Sequence, residues 1–163
     1  MVQTLTLNTG QKIPQLGFGV WKAAEGECYK AVRTALDTGY RHIDTARIYG
    51  NEVDVGKAIR DSGIDRSEIF VTTKLWNSDQ AKAQKAFDDS MARLGLDYLD
   101  LYLIHFPATK TRAQAWKDLE AIHKTGRTRA IGVSNYMPRH LDELLSSAAV
   151  KPAVNQIELH PYL

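Results

Sequence analysis

Short apolar runs and amphipathic stretches alternate along this chain from one end to the other. The apolar runs at 16–20, 42–43, 69–73, 99–104, 129–133 and 154–159 each have strand length. Between them lie segments of helical period at 29–36, 53–59, 83–94, 113–123 and 141–145. The pattern predicts six strands and five helices in strict alternation. Ahead of them, Thr4-Leu5-Thr6-Leu7, the turn signal Asn8-Thr9-Gly10-Gln11, and Lys12-Ile13 predict a small β-hairpin, placed to plug one end of something larger.

The punctuation agrees with that reading. Gly39, Gly63, Gly95 and Gly126 each follow a predicted helix closely, where a left-handed cap costs least in a residue without Cβ. Asn51, the run Asn77-Ser78-Asp79, and Pro138 mark helix starts. Alternating βα units imply a parallel sheet with helical cover, either a barrel or a doubly wound sheet. A dinucleotide-binding sheet opens with G-x-G-x-x-G after its first strand, and Gly17-Phe18-Gly19-Val20-Trp21-Lys22 does not complete it. The barrel is favoured. A complete (β/α)8 barrel takes about 250 residues, so residues 1–163 read as one domain, the amino-terminal part of a TIM-type barrel, with about two βα units missing.

Composition narrows the partners. The 21 basic and 19 acidic residues leave a net charge of +2 and are spread along the whole chain, so no block of like charge suggests a nucleic-acid or membrane surface. The expected partner is a small molecule. Cys28 is the only cysteine, which excludes an intramolecular disulfide and fits a reducing compartment, the cytoplasm. Residues 1–10 have no basic segment followed by an apolar one, and no apolar run approaches the roughly 18 residues of a membrane span.

In a βα barrel the chemistry lies at the carboxyl ends of the strands. There the sequence offers Asp44 with Tyr49 in the following loop, Lys74, His105, Ser134-Asn135, and then Gln156, Glu158 and His160. Each has a bland alternative: Lys74 as a solvated strand-end lysine, His105 as a core histidine, Asp44 as a turn cap, Tyr49 packing on Ile48 and Tyr40. Their recurrence after successive strands favours a shared mouth. Such a set suits reduction of a carbonyl, because hydride arriving at carbon demands a proton at oxygen. Tyr49 is the expected donor. Its free pKa of roughly 10 is high for that task, and the Lys74 ammonium is expected to lower it. Asp44 would pair with Lys74, and His105 would hydrogen-bond the substrate oxygen. The hydride must come from a cofactor.

The run Gly39-Tyr40-Arg41-His42-Ile43-Asp44-Thr45-Ala46, followed by Tyr49-Gly50-Asn51-Glu52, closely resembles the signature of the aldo-keto reductases. The resemblance continues through Thr72-Thr73-Lys74-Leu75-Trp76, Leu101-Tyr102-Leu103-Ile104-His105, Ile131-Gly132-Val133-Ser134-Asn135 and Asn155-Gln156-Ile157-Glu158. It implies a catalytic tetrad of Asp44, Tyr49, Lys74 and His105. It also implies NADPH as cofactor, with NADH as the alternative, its nicotinamide end held by Ser134, Asn135, Gln156 and Asp44. Trp21, Trp76 and Phe106, with His105, would line the substrate pocket, although many members carry tryptophan where Phe106 stands; the alternative for these aromatics is core packing. In the family, the segments that grip the adenosine phosphates lie beyond Pro161-Tyr162-Leu163, and the connection after His105-Phe106-Pro107 is brief here. In tone the sequence is nearest to microbial reductases of small aldehydes, diketones and keto-sugars.

Two other readings compete. The chain could be a non-catalytic barrel part whose open sheet edges pair with another copy or another chain. A barrel hydrolase holding a metal on Asp44, His105, Glu158 and His160 is disfavoured: no His-x-His pair follows the first strand, and Lys74 and Tyr49 would have no role beside a cation. No metal is expected.

Overall fold

The computed structural model describes residues 2–24 and 26–163; Met1 and Glu25 lie outside the described residues. Six parallel strands form one sheet in sequence order: β3 (Phe18–Gly19), β4 (His42–Asp44), β5 (Phe70–Leu75), β6 (Leu101–Ile104), β7 (Ile131–Ser134) and β8 (Asn155–Gln156). They are the strands of an incomplete (β/α)8 barrel. Strand β5 lies in the middle, with Ile43 opposite Val71 on one side and Thr73 opposite Tyr102 on the other.

The five helices are α1 (Glu27–Asp37), α2 (Glu52–Asp61), α3 (Ala83–Leu94), α4 (Arg112–Lys124) and α5 (Pro138–Leu145). Their apolar stripes pack onto the outward side chains of the strands. Val32, Leu36, Val55, Ile59, Phe87, Leu94, Trp116 and Leu119 meet Ile43, Val71, Tyr102, Ile104 and Val133 in the main core. Alternate strand residues point the other way. Phe70, Leu101, Leu103 and Ala130 form a second, inner cluster. The hairpin of β1 (Thr4–Thr6) and β2 (Lys12–Pro14) covers it, Leu7 and Ile13 packing on it from the end where the strands begin. This is the plug expected from the sequence.

Helix ends follow local chemistry. Gly95 closes α3 with φ 62°, its N–H reaching Met91 O at 2.8 Å, a left-handed turn that costs a residue with Cβ. Pro138 opens α5. Asn51 precedes α2 without capping it, a difference from its expected role that bears on the site. The largest departure is at β8. The apolar run at 154–159 predicts a longer strand, yet the ladder against β7 takes in Asn155 and Gln156 alone, and Ile157 and Leu159 beyond it are exposed. Among the described residues no helix is long and apolar enough to cross a membrane.

Candidate active site

The carboxyl ends of β4 to β8 bring most of the expected residues to one mouth. Asp44 ends β4, and a single 3-10 turn, Arg47–Tyr49, follows it and carries Tyr49. Lys74 stands near the end of β5 with 1% exposure, which rules out a solvated strand-end lysine. Its ammonium donates to Asp44 Oδ1, and to the Thr45 carbonyl at 3.0 Å. A buried ammonium needs that carboxylate, since an unpaired charge there would be costly. Burial draws the Lys74 pKa down from its ordinary value and Asp44 opposes that pull.

Lys74 Nζ lies 5.2 Å from the centre of the Tyr49 ring. The Tyr49 ring meets His105 edge-on at 5.7 Å, while Tyr40 packs on Phe18 instead. Among the described residues the Tyr49 hydroxyl makes no hydrogen bond, which leaves it free to donate. Its pKa does not fall as expected: burial, and then the negative charge of Asp44, push it up to about 12. The lysine's charge is already answered by Asp44, so little of it is felt at the phenol. His105 follows β6, and burial, reinforced by Lys74, holds its imidazole down at about 4, so the ring is neutral near pH 7. Its Nδ1 is buried without a partner.

Aromatic rings wall one side of the mouth. His105 stacks on Phe106 at 5.4 Å, and Trp76 meets His105 at 5.2 Å and Phe106 at 6.1 Å, both edge-on. Trp21 is not part of this cluster. It is 66% exposed beyond β3, with Lys22 Nζ over its ring at 4.4 Å.

The other side carries polar groups. Ser134 Oγ donates to the Gln156 carbonyl at 2.9 Å, Asn135 Nδ2 donates to the His105 carbonyl at 3.0 Å, and Gln156 Nε2 donates to Asp44 Oδ2 at 2.9 Å. Gln156 is thereby joined to the Asp44–Lys74 pair. Asn135 holds a left-handed backbone, φ 61°, a conformation asparagine tolerates better than most residues and one that recurs at functional sites. Among the described residues, Asn135 Oδ1 and Gln156 Oε1 accept no hydrogen bond. Two open amide acceptors beside a serine hydroxyl match the donors of a primary carboxamide, such as that of nicotinamide.

Glu158 and His160 stay outside the mouth. Both are exposed and pair with each other at 3.0 Å, since β8 ends before them. Among the described residues no three His, Cys, Asp or Glu side chains gather in a way that could hold a metal ion. Two residues support the mouth in ways the sequence does not assign, which marks Asn51 only as a helix start and as part of the signature run. Asn51 is buried, accepts from the Thr45 hydroxyl at 2.8 Å and donates to the Val20 carbonyl at 2.9 Å, fixing the strand end whose carbonyl holds Lys74. Gln80 is the other; nothing local in the sequence separates it from a surface residue of a turn.

In βα barrels the strand ends that form this mouth are where active sites lie, and comparison with known proteins is specific. Residues 15–163 match the aldo/keto reductase family, and the chain belongs to it. It is 54% identical over 160 residues to 9,11-endoperoxide prostaglandin H2 reductase of Trypanosoma cruzi, covering 96% of this chain and 56% of that protein. It is also 54% identical over 162 residues to morphine 6-dehydrogenase of Pseudomonas putida, covering 97% of this chain and 55% of that one. The chain thus spans little more than half the length of these curated relatives. Among solved structures, an aldo/keto reductase from Brucella melitensis superposes with a TM-score of 0.95 at 52% identity, covering 99% of this chain and 64% of that one. A Bombyx mori aldo-keto reductase solved in complex with NADP superposes at 0.89 with 37% identity, covering 97% and 58%.

Proposed function

We propose that this chain carries the reaction centre of an NADPH-dependent reductase of small aldehydes and ketones. The observation that carries the reading is the buried Lys74–Asp44 pair set against the Tyr49 ring and His105 at the carboxyl ends of three adjacent strands. Ser134, Asn135, Gln156 and Asp44 would hold the nicotinamide end of the cofactor, and the uncommitted amide oxygens support that fit. Bound there, the cofactor supplies hydride to the carbonyl carbon. Tyr49 gives its proton to the carbonyl oxygen, so the substrate leaves as an alcohol and the phenolate left behind is stabilised by Lys74. A hydroxyl that holds its proton up to about 12 is a poor free acid. It is well kept in the donor form until charge builds on the substrate oxygen. Neutral His105 orients that oxygen by a hydrogen bond, and Trp76, Phe106 and, at the rim, Trp21 contact the rest of the substrate.

The relatives support a nicotinamide oxidoreductase, one being named glycerol 2-dehydrogenase (NADP(+)) and another glyoxal reductase. Their names span several substrate kinds, which fits a site whose chemistry is fixed and whose walls vary. The test is loss of NADPH absorbance on mixing the purified chain with a panel of small aldehydes and diketones. Alcohol formed in step with NADPH consumed is expected; a folded chain that binds NADPH and reduces no member of the panel contradicts the reading.

A second reading has one observation in its favour. Among the described residues β3 pairs only with β4 and β8 only with β7, leaving both sheet edges open. A barrel part that associates with another copy or another chain through those edges would show as a stable complex in light scattering.

A further inference from the structure

Beside the mouth, one buried side chain takes no part in the chemistry assigned above. Gln80, in the 3-10 turn Asn77–Lys82, is 0% exposed. A glutamine is seldom fully buried unless its amide is satisfied, and here both ends are engaged. Nε2 donates to the Phe106 carbonyl at 2.8 Å and to Asn77 Oδ1 at 3.3 Å, and Oε1 accepts from the Thr111 hydroxyl at 2.8 Å. The amide therefore reaches from the connection after β5 to both ends of the connection between β6 and α4.

Thr111 is an independent sign that the arrangement is built. It occupies the N-cap of α4, where a threonine hydroxyl ordinarily accepts from a backbone N–H of the first turn. It makes no such bond and turns to Gln80 instead. At the start of the segment so held, His105 is tied by its N–H to Leu75 O at 3.0 Å and by Asn135 Nδ2 on its carbonyl at 3.0 Å. Over 106–112 the backbone bonds are local: Ala108 N to Phe106 O at 2.9 Å, Thr111 N to Ala108 O at 3.3 Å and Arg112 N to Ala108 O at 3.0 Å. Phe106 is 40% exposed, so packing against His105 and Trp76 holds only part of its ring. Trp76 immediately precedes the turn that carries Gln80. One amide thus ties the Phe106 backbone to the turn that begins directly after Trp76.

We propose that Gln80 is a positioning residue that fixes the Trp76, His105 and Phe106 wall, and that by doing so it sets affinity for carbonyl substrates bearing a flat apolar group. The substrate part rests on the reductase reading above; the brace itself does not.

The test compares Gln80→Leu, which keeps bulk and removes both polar ends, with Thr111→Val, which removes one bond, and with Thr111→Ser, which keeps the hydroxyl. Hydrogen–deuterium exchange on the 163-residue chain is expected to quicken about tenfold over residues 105–112 in the first two variants and to stay at the parent rate in Thr111→Ser. Exchange over 101–104 should not change. In steady-state reduction with NADPH, KM for benzaldehyde should rise about five- to tenfold in Gln80→Leu with kcat within about twofold, while KM for acetaldehyde holds. Unchanged exchange over 105–112 overturns the brace. Faster exchange spreading through 101–104 in both Gln80→Leu and Thr111→Val overturns it as well, making Gln80 an ordinary core residue. A fall in kcat common to both aldehydes, with KM unmoved, overturns the link to substrate affinity. If the parent chain consumes no NADPH with either aldehyde, the reductase reading and the substrate part fail together, and exchange alone still decides the brace.

Discussion

His105 and Tyr49 face opposite demands and are pushed in opposite directions. Burial and Lys74 hold His105 at about 4, and burial and Asp44 raise Tyr49 to about 12. The proposed reaction needs a neutral imidazole and a protonated phenol. Activity should therefore fall on the acid side only as pH drops through about 4. On the basic side it should fall first as Lys74, drawn below its ordinary value, gives up the charge that steadies the phenolate, before Tyr49 itself ionises at about 12. The plateau of kcat/KM against pH measures this; an acid limb near 6.5, the ordinary histidine value, would contradict it. Away from the mouth, Glu52 is 1% exposed, accepting from the Thr73 hydroxyl at 2.6 Å and from Arg93 Nε at 2.7 Å. Arg93→Ala leaves that carboxylate buried and unpaired, and should cost about 3 kcal/mol in urea denaturation; a loss under about 0.5 kcal/mol, the size of a surface change, would contradict it. Asp44, Lys74 and His105 were legible because each interrupts an apolar run at a strand's end. Asn51 and Gln80 were not, because their meaning lies in partners such as Val20 and Phe106, 31 and 26 positions away.

Elements were legible in proportion to their length. Helix α3 has the bounds its period predicts, and the four glycines after predicted helices all adopt positive φ. The edge strands β3 and β8 are shorter than their apolar runs, each pairing, among the described residues, on one side only and over two residues. The 3-10 turns left no periodic trace. Close helix packing also escaped the pattern. A Cβ on Gly56 would lie 1.8 Å from the Leu94 carbonyl oxygen, backbone that cannot swing aside, so α2 and α3 touch there because residue 56 is glycine. Gly56→Ala should force the two helices apart and cost about 2 kcal/mol, despite alanine's better helix propensity. Chemical denaturation measures it, and a midpoint at or above the parent's would show that the helices yield freely.

At the scale of the whole molecule, alternation of strand and helix implied a parallel βα fold, and the incomplete G-x-G-x-x-G at residues 17–22 chose the barrel over a doubly wound sheet. Membership of the aldo/keto reductase family agrees with that choice. What periodicity could not convey is that, among the described residues, both edges of the sheet are unpaired. Unpaired parallel edges are templates for further pairing. The 163-residue chain alone should self-associate in light scattering as its concentration rises, and a monomer at every concentration would oppose that. The central claim concerns the mouth, and it is tested most directly by NADPH consumption with a small aldehyde in the parent and in Tyr49→Phe, which removes one oxygen from a ring already held by Lys74 and His105. Turnover reduced by at least about a hundredfold, with NADPH binding and fold intact, is the predicted result; a variant that turns over like the parent would remove Tyr49 as the proton donor.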